Sequence, residues 1–185
     1  LEEPVKRKYE TAVCPTAAIP RRPPLAVCIV GASGSGKTTL IEGLIPALRA
    51  LGLRVGVVKH THHHVPFDKP GKDSWRVAEA GAEQVALLTP AGFAFMDYHP
   101  EPSLEEAITR CFEGVDLVLV EGCKWSKLPK IEVFRPEHTA LPMCLNDANL
   151  LAVATNGKLD ADVTTLPLDG VEVIAAFLAE RVVRA

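Results

Sequence analysis

Aromatic residues are scarce in this sequence, 5% of 185 positions against 48% hydrophobic ones, so its core must be aliphatic. That balance suits a sheet of Val, Ile and Leu strands covered by Ala- and Leu-rich helices. Cysteine lacks any useful arrangement. Cys14, Cys28, Cys111, Cys123 and Cys144 form an odd set with no C-x-x-C pair and no finger-like spacing, which argues against a disulfide framework or zinc finger and for buried thiols in a reducing cytoplasm. Excess positive charge is missing too. The formal net charge is −3 and the isoelectric point near 6.1, which speaks against non-specific nucleic-acid binding and requires any phosphate site to be local. No run of about 18 apolar residues exists, so no membrane-spanning helix is expected. The first residues lack the apolar stretch of a signal peptide, and Leu1 in place of Met suggests a trimmed or internal piece. No internal repeat or low-complexity block is present.

The length fits one domain. Residues 1–24 mix charges with five prolines and read as an extended arm or linker, leaving 25–185 as the folded domain. Leu25–Val30 is an apolar run suited to a strand buried on both faces. A helix is expected from about Gly36 to Leu51, kinked or weakened at Pro46. A second strand, Arg54–Val58, leads into an aperiodic loop, Thr61 to Lys72. Asp73 then suits a helix N-cap. Gln84–Thr89 and Phe93–Tyr98 flank Pro90-Ala-Gly92 as a β-hairpin. Ser103-Leu-Glu-Glu106 is a capping box. Strands follow at Val115–Val120, Lys130–Phe134, Leu150–Ala154 and Thr165–Leu168, then a helix from Asp169 to about Val183. The alternation predicts a three-layer α/β/α fold of the P-loop NTPase kind, mostly parallel, with the hairpin as an antiparallel extension and a possible assembly surface.

Gly31-Ala-Ser-Gly-Ser-Gly-Lys-Thr38 carries the main chemistry, because it has the P-loop spacing G-x-x-x-x-G-K-T between a buried strand and an amphipathic helix. Glycines at 31, 34 and 36, with Ser33 and Ser35 between them, let successive N–H groups curl around phosphate oxygens. The helix beneath adds its positive end. Lys37 supplies a full charge at the β/γ-phosphates, the Thr38 hydroxyl is a ligand for Mg²⁺, and Thr39 continues the phosphate-facing turn. Glu121 closes an apolar strand that ends at the same sheet edge, where a second Mg²⁺ partner is wanted. Asp116, at the other end, reads as a turn residue. Lys59 and His60 open a histidine-dense run to His64 at the ligand edge of the second strand. Adjacent histidines cannot all converge on one ion, so a phosphate-facing or partner-facing loop is favoured over a metal site. Asp68 and Asp73 suit Mg²⁺ or a nucleophilic water, with a helix cap as the equal alternative for Asp73. Asn156-Gly-Lys-Leu-Asp160 resembles the N-K-x-D guanine reader of GTPases but carries an extra Gly157, leaving Asp160 as the weakest of the site residues.

Together these stretches resemble the MobB family of molybdopterin-guanine dinucleotide biosynthesis. The similar segments are Gly31–Leu48, Val57–His63, Asp68–Ser74, Glu79–Gly81, Leu117–Lys124 and Pro129–Val133. Lys59-His-Thr-His-His63 and Asp68-Lys-Pro-Gly-Lys-Asp-Ser74 make the likeness specific. The resemblance implies a cytoplasmic, usually dimeric, GTP- and Mg²⁺-binding adaptor with slow GTPase activity. Such a protein would assist a MobA-type guanylyltransferase acting on molybdopterin, with no nucleic acid or membrane as partner. Gly34, Gly36, Lys37 and Thr38 would hold phosphates and metal, Glu121 would close the metal site, and residues 60–64 and 68–74 would border the nucleotide. The Pro-rich arm and His64-Val65 depart from the family pattern. The rival classes are a small-molecule kinase, for which Arg76, Arg110 and Arg135 are too scattered to form a lid, and a metallochaperone GTPase, supported by the histidines alone.

Overall fold

The computed structural model describes residues 24–183 except 62, 64, 67 and 99–101. The arm before Pro24 and the side chains of His62, His64 and His99 therefore lie outside the described residues.

Six short strands make one parallel sheet, in the order β2-β5-β1-β6-β7-β8. They are β1 Leu25–Val30, β2 Val55–Lys59, β5 Leu117–Glu121, β6 Lys130–Val133, β7 Leu150–Thr155 and β8 Thr165–Pro167. Side chains alternate across a strand. Val27 and Ile29 of β1 therefore join Leu117, Leu119, Ile131 and Val133 on one face, while Ala26, Cys28 and Val30 join Val118 and Val120 on the other. The first face packs against Leu40, Ile41, Leu44 and Leu48 of α1 (Lys37–Ala50) and Ile174 and Leu178 of α4 (Val171–Leu178). The second is closed by Ile108 of α3 (Leu104–Cys111) with Cys123 and Cys144. Burial, helped by neighbouring Cys123, pushes the Cys28 thiol up to about 12, so it stays protonated and inert. Cys111, by contrast, is exposed.

Local signals mostly hold. Ser103 Oγ accepts the Glu106 N–H at 3.2 Å and Glu106 Oε2 accepts the Ser103 N–H at 2.9 Å, a complete capping box. α1 runs through Pro46, which brings the expected local loss of a hydrogen bond without ending the helix. Pro46 and Glu42, whose carbonyl loses its partner, both face solvent, where an unpaired carbonyl is not buried away from water. Asp73 is not the N-cap of α2 (Asp73–Glu79). Lys72 occupies that position and Asp73 stands in the first turn, fully exposed, 3.6 Å from Arg76 Nη1. A carboxylate in the first turn still complements the helix dipole. The hairpin, β3 Gln84–Thr89 with β4 Gly92–Asp97, is a two-stranded sheet of its own and adds no strand to the main sheet.

β6 buries two charged residues. Lys130 and Glu132 are 0% and 1% exposed, and each is answered by a loop on the thinly covered face. Lys130 Nζ donates to Lys124 O (3.2 Å), Ser126 O (2.8 Å) and the Asp147 carboxylate. Glu132 accepts the N–H groups of Met143 (2.6 Å) and Cys144 (2.8 Å). These bonds fix the segment 122–129, which joins β5 to β6 without a helix, and the segment 143–149 that leads into β7.

Candidate phosphate-binding site

All six strands are parallel, so the loops after them gather at one edge. β1 delivers residues 31–36 at its centre. Gly31 is needed there because a Cβ would stand 2.3 Å from the Val133 carbonyl oxygen of β6. Gly34 and Gly36 have φ of +76° and +99°, a region where side chains are strained. Gly36 is also the N-cap of α1 and offers no capping side chain, which leaves the first-turn N–H groups for an anion. Lys37 Nζ lies back over the loop, donating to Gly31 O at 3.1 Å and Ala32 O at 2.7 Å. Ser33, Gly34, Thr38 and Thr39 are exposed, while Ser35 is buried and its hydroxyl has no hydrogen-bond partner.

On the β5 side the expected corner is assembled. Thr38 Oγ1 donates to Glu121 Oε1 at 2.9 Å. Lys59 Nζ stands 3.4 Å from both Glu121 oxygens. The Glu121 side chain is only 14% exposed. The backbone locks this corner: His60 N–H donates to Glu121 O (3.2 Å) and Gly122 N–H to Ile29 O (3.0 Å). The Thr38 hydroxyl and the Glu121 carboxylate, in contact beside the glycine turn, are hard oxygen donors of the kind Mg²⁺ accepts.

Other expected side chains make different contacts. The His60 ring packs edge-on against Trp125 at 5.1 Å. Asp68 Oδ1 accepts the Lys69 N–H at 2.6 Å, and among the described residues neither Asp68 nor Asp73 hydrogen-bonds to the P-loop. Asp160 is exposed beyond β7. The tie at that end is Asn156 Nδ2 donating to Asp169 Oδ2 at 2.5 Å. No group of three or more His, Cys, Asp or Glu side chains suited to a metal occurs among the described residues. At the opposite sheet edge Asp116 does more than turn the chain. It accepts the Arg54 N–H at 2.8 Å and grips its guanidinium at 3.1 and 2.9 Å. Those bonds hold its carboxyl down at about 2.

Sequence reasoning missed Arg135. Its Nε donates to Ser35 O at 2.9 Å across a separation of 100 residues. His138 follows, its Cε1 3.6 Å from where a Gly34 Cβ would stand. The available signal was positional: Arg135 lies just past a strand that proves to be β1's neighbour.

The sequence model of the family described as Molybdopterin guanine dinucleotide synthesis protein B, MobB, matches residues 26–156. A molybdopterin-guanine dinucleotide biosynthesis adapter protein of Haemophilus influenzae is 47% identical over 81% of this chain and 85% of its own length. Its namesake in Escherichia coli is 40% identical over 80% and 87%. A tetraacyldisaccharide 4'-kinase of Pseudomonas aeruginosa is 36% identical over 54% of this chain but only 31% of the kinase. Among solved structures, one of molybdopterin-guanine biosynthesis protein B superposes with a TM-score of 0.65 at 33% identity, covering 84% of this chain and 99% of that one. A Bacillus stearothermophilus MobB homologue gives 0.63 at 27%, covering 86% and 97%.

Proposed function

The chain belongs to the molybdopterin-guanine dinucleotide synthesis protein B family, as an adapter in that biosynthesis, and we propose that it works by holding GTP with Mg²⁺ in the loop 31–38. The observation that carries this reading is the contact of Thr38 Oγ1 with Glu121 at the mouth of a glycine loop whose lysine is already in place. Backbone N–H groups from Ser33 to Thr38 meet the phosphates, and Lys37 exchanges its two carbonyl partners for phosphate oxygens. Thr38 and Glu121 would hold the ion, whose chemistry would be to neutralise phosphate charge. Lys59 keeps Glu121 facing the loop. The reading is of slow hydrolysis and of a nucleotide held for a partner, a MobA-type guanylyltransferase acting on molybdopterin.

The hairpin supplies an assembly surface. Leu87, Leu88, Phe93 and Phe95 are 47–77% exposed, and paired apolar strands left bare are a homodimer interface in this reading. Calorimetric titration of the whole chain with GTP and ATP tests the nucleotide assignment. GTP should bind more tightly and only with Mg²⁺ at full affinity, and Lys37→Ala should abolish binding. Equal affinities would remove the guanine claim, and unchanged GTP affinity in Lys37→Ala would remove the site.

A further inference from the structure

The glycine loop is flanked on both sides, and phosphate and metal account for only one of them. Thr38, Glu121 and Lys59 stand toward β5, while Arg135 and His138 stand toward β6, on the other side of β1. A nucleotide with its terminal phosphates at the Thr38–Glu121 corner must therefore run its sugar and base away from β5, over the ends of β6 and β7. Adjacent strands are about 4.8 Å apart, so those ends lie within the reach of a nucleoside.

That rim is firmly built. Gly157, just after β7, lies so close to the Pro136 ring that a Cβ would stand 2.5 Å from it. Thr155 Oγ1 accepts the Gly157 N–H at 3.0 Å, and the Asn156–Asp169 tie joins the ends of β7 and β8. Arg135 is set into this rim with its Nε committed to the Ser35 carbonyl. Nη1 has only a 3.8 Å pairing with Glu137, whose side chain is 62% exposed, a weak surface contact. Nη2 lies 3.7 Å from where a Gly36 Cβ would be, so the absent side chain leaves the guanidinium beside the phosphate turn. A planar cation fixed at one nitrogen, its side chain 35% exposed, is suited to ribose oxygens and to stacking on a base.

We propose that Arg135 is the residue that seats the nucleoside half of the bound nucleotide, anchored through Nε to the loop that holds the phosphates. The proposal rests on the nucleotide reading above and adds the direction in which the ligand lies. Two contacts of the loop do not pass through this arginine: Gly31 packs against β6 and the Ser35 N–H donates to Ala32 O at 3.3 Å.

The experiment is calorimetric titration of the full chain and of Arg135→Ala with Mg²⁺-GTP and with Mg²⁺-inorganic triphosphate, which has no nucleoside. GTP affinity should fall about 10-fold or more, the effect of losing a charge-assisted contact. Inorganic triphosphate should change by less than about 3-fold, and it doubles as a check that the variant is folded. A parallel fall of both ligands would reduce Arg135 to a brace of the loop and overturn the proposal, as would unchanged affinity for both. Failure of the unaltered chain to bind either ligand would instead remove the nucleotide reading itself, before any variant is compared.

Discussion

Replacing Lys130 by methionine isolates the buried cation from the bulk of its stem. The ammonium is wholly buried and donates to two carbonyls and to the Asp147 carboxylate. Methionine fills the same channel and donates nothing, so all three acceptors lose a charged partner. Hydrogen bonds to charged groups contribute about 1.5–3 kcal/mol each, and the desolvation of the ammonium, several kcal/mol, is recovered in the variant. Removing one member of a buried pair costs about 3–5 kcal/mol. Asp147 is 26% exposed and can turn to water, which puts the expected loss at the low end, about 3 kcal/mol. For a chain of this size each kcal/mol lowers Tm by about 2–4 °C, so a drop of about 6–12 °C is expected in calorimetry, with a matching shift in urea unfolding. The Lys130 bond first, and the Asn149 N–H second, hold the Asp147 carboxyl below its ordinary range. A lowered folded value contributes stability above the unfolded carboxyl value, about 4, and loses it as pH falls through the folded one. The acid limb of the stability curve should therefore flatten in Lys130→Met. Lys130→Met with Asp147→Asn should cost less than the two single changes summed. A loss under about 1 kcal/mol, or a strictly additive cycle, would refute the view that this pair pins the loop across the sheet.

Three further outcomes follow from the same structure. Arg54 holds Asp116 near 2, so that pair contributes above the unfolded carboxyl value and is lost as pH falls toward 2; Asp116→Asn should remove this part of the acid dependence in pH-resolved melting. Gly31→Ala drives a Cβ into the Val133 carbonyl at 2.3 Å, and calorimetry should show nucleotide binding lost while far-ultraviolet circular dichroism keeps the αβ signature. Ser103→Ala removes one half of the capping box and should cost about 1 kcal/mol in urea unfolding, with nucleotide affinity unchanged.

Whatever depends on neighbours in sequence was legible. The glycine spacing names the loop, the apolar run before it names the strand, and Glu121 follows from the rule that parallel strands end at one edge. The capping box of α3 was readable for the same reason. Lateral strand order is written in no local pattern, so Arg135 could not be placed against Ser35. Lys130 and Glu132 alternate with Ile131 and Val133 as a strand with one wet face would, yet β6 lies between β1 and β7 and buries both faces. Burial there is a property of the loops that fold over it. Asp73 was displaced by one position, a shift that capping chemistry alone does not decide, since an acidic residue is favourable both at the cap and in the first turn.

The strand order also sets a timetable. Leu25 is registered on Leu117 and Cys28 on Lys130, so β1 leaves the ribosome long before either of its neighbours. Through that interval an apolar strand and its glycine turn have no walls: no Glu121 for Thr38, no Val133 carbonyl against Gly31, no Arg135 behind Ser35. Non-local pairing of this kind is slow and leaves hydrophobic edges open while it waits. Completion of the glycine loop is thus a late event in the life of the nascent chain, and the unfinished strand β1 is the segment a chaperone would have to shield.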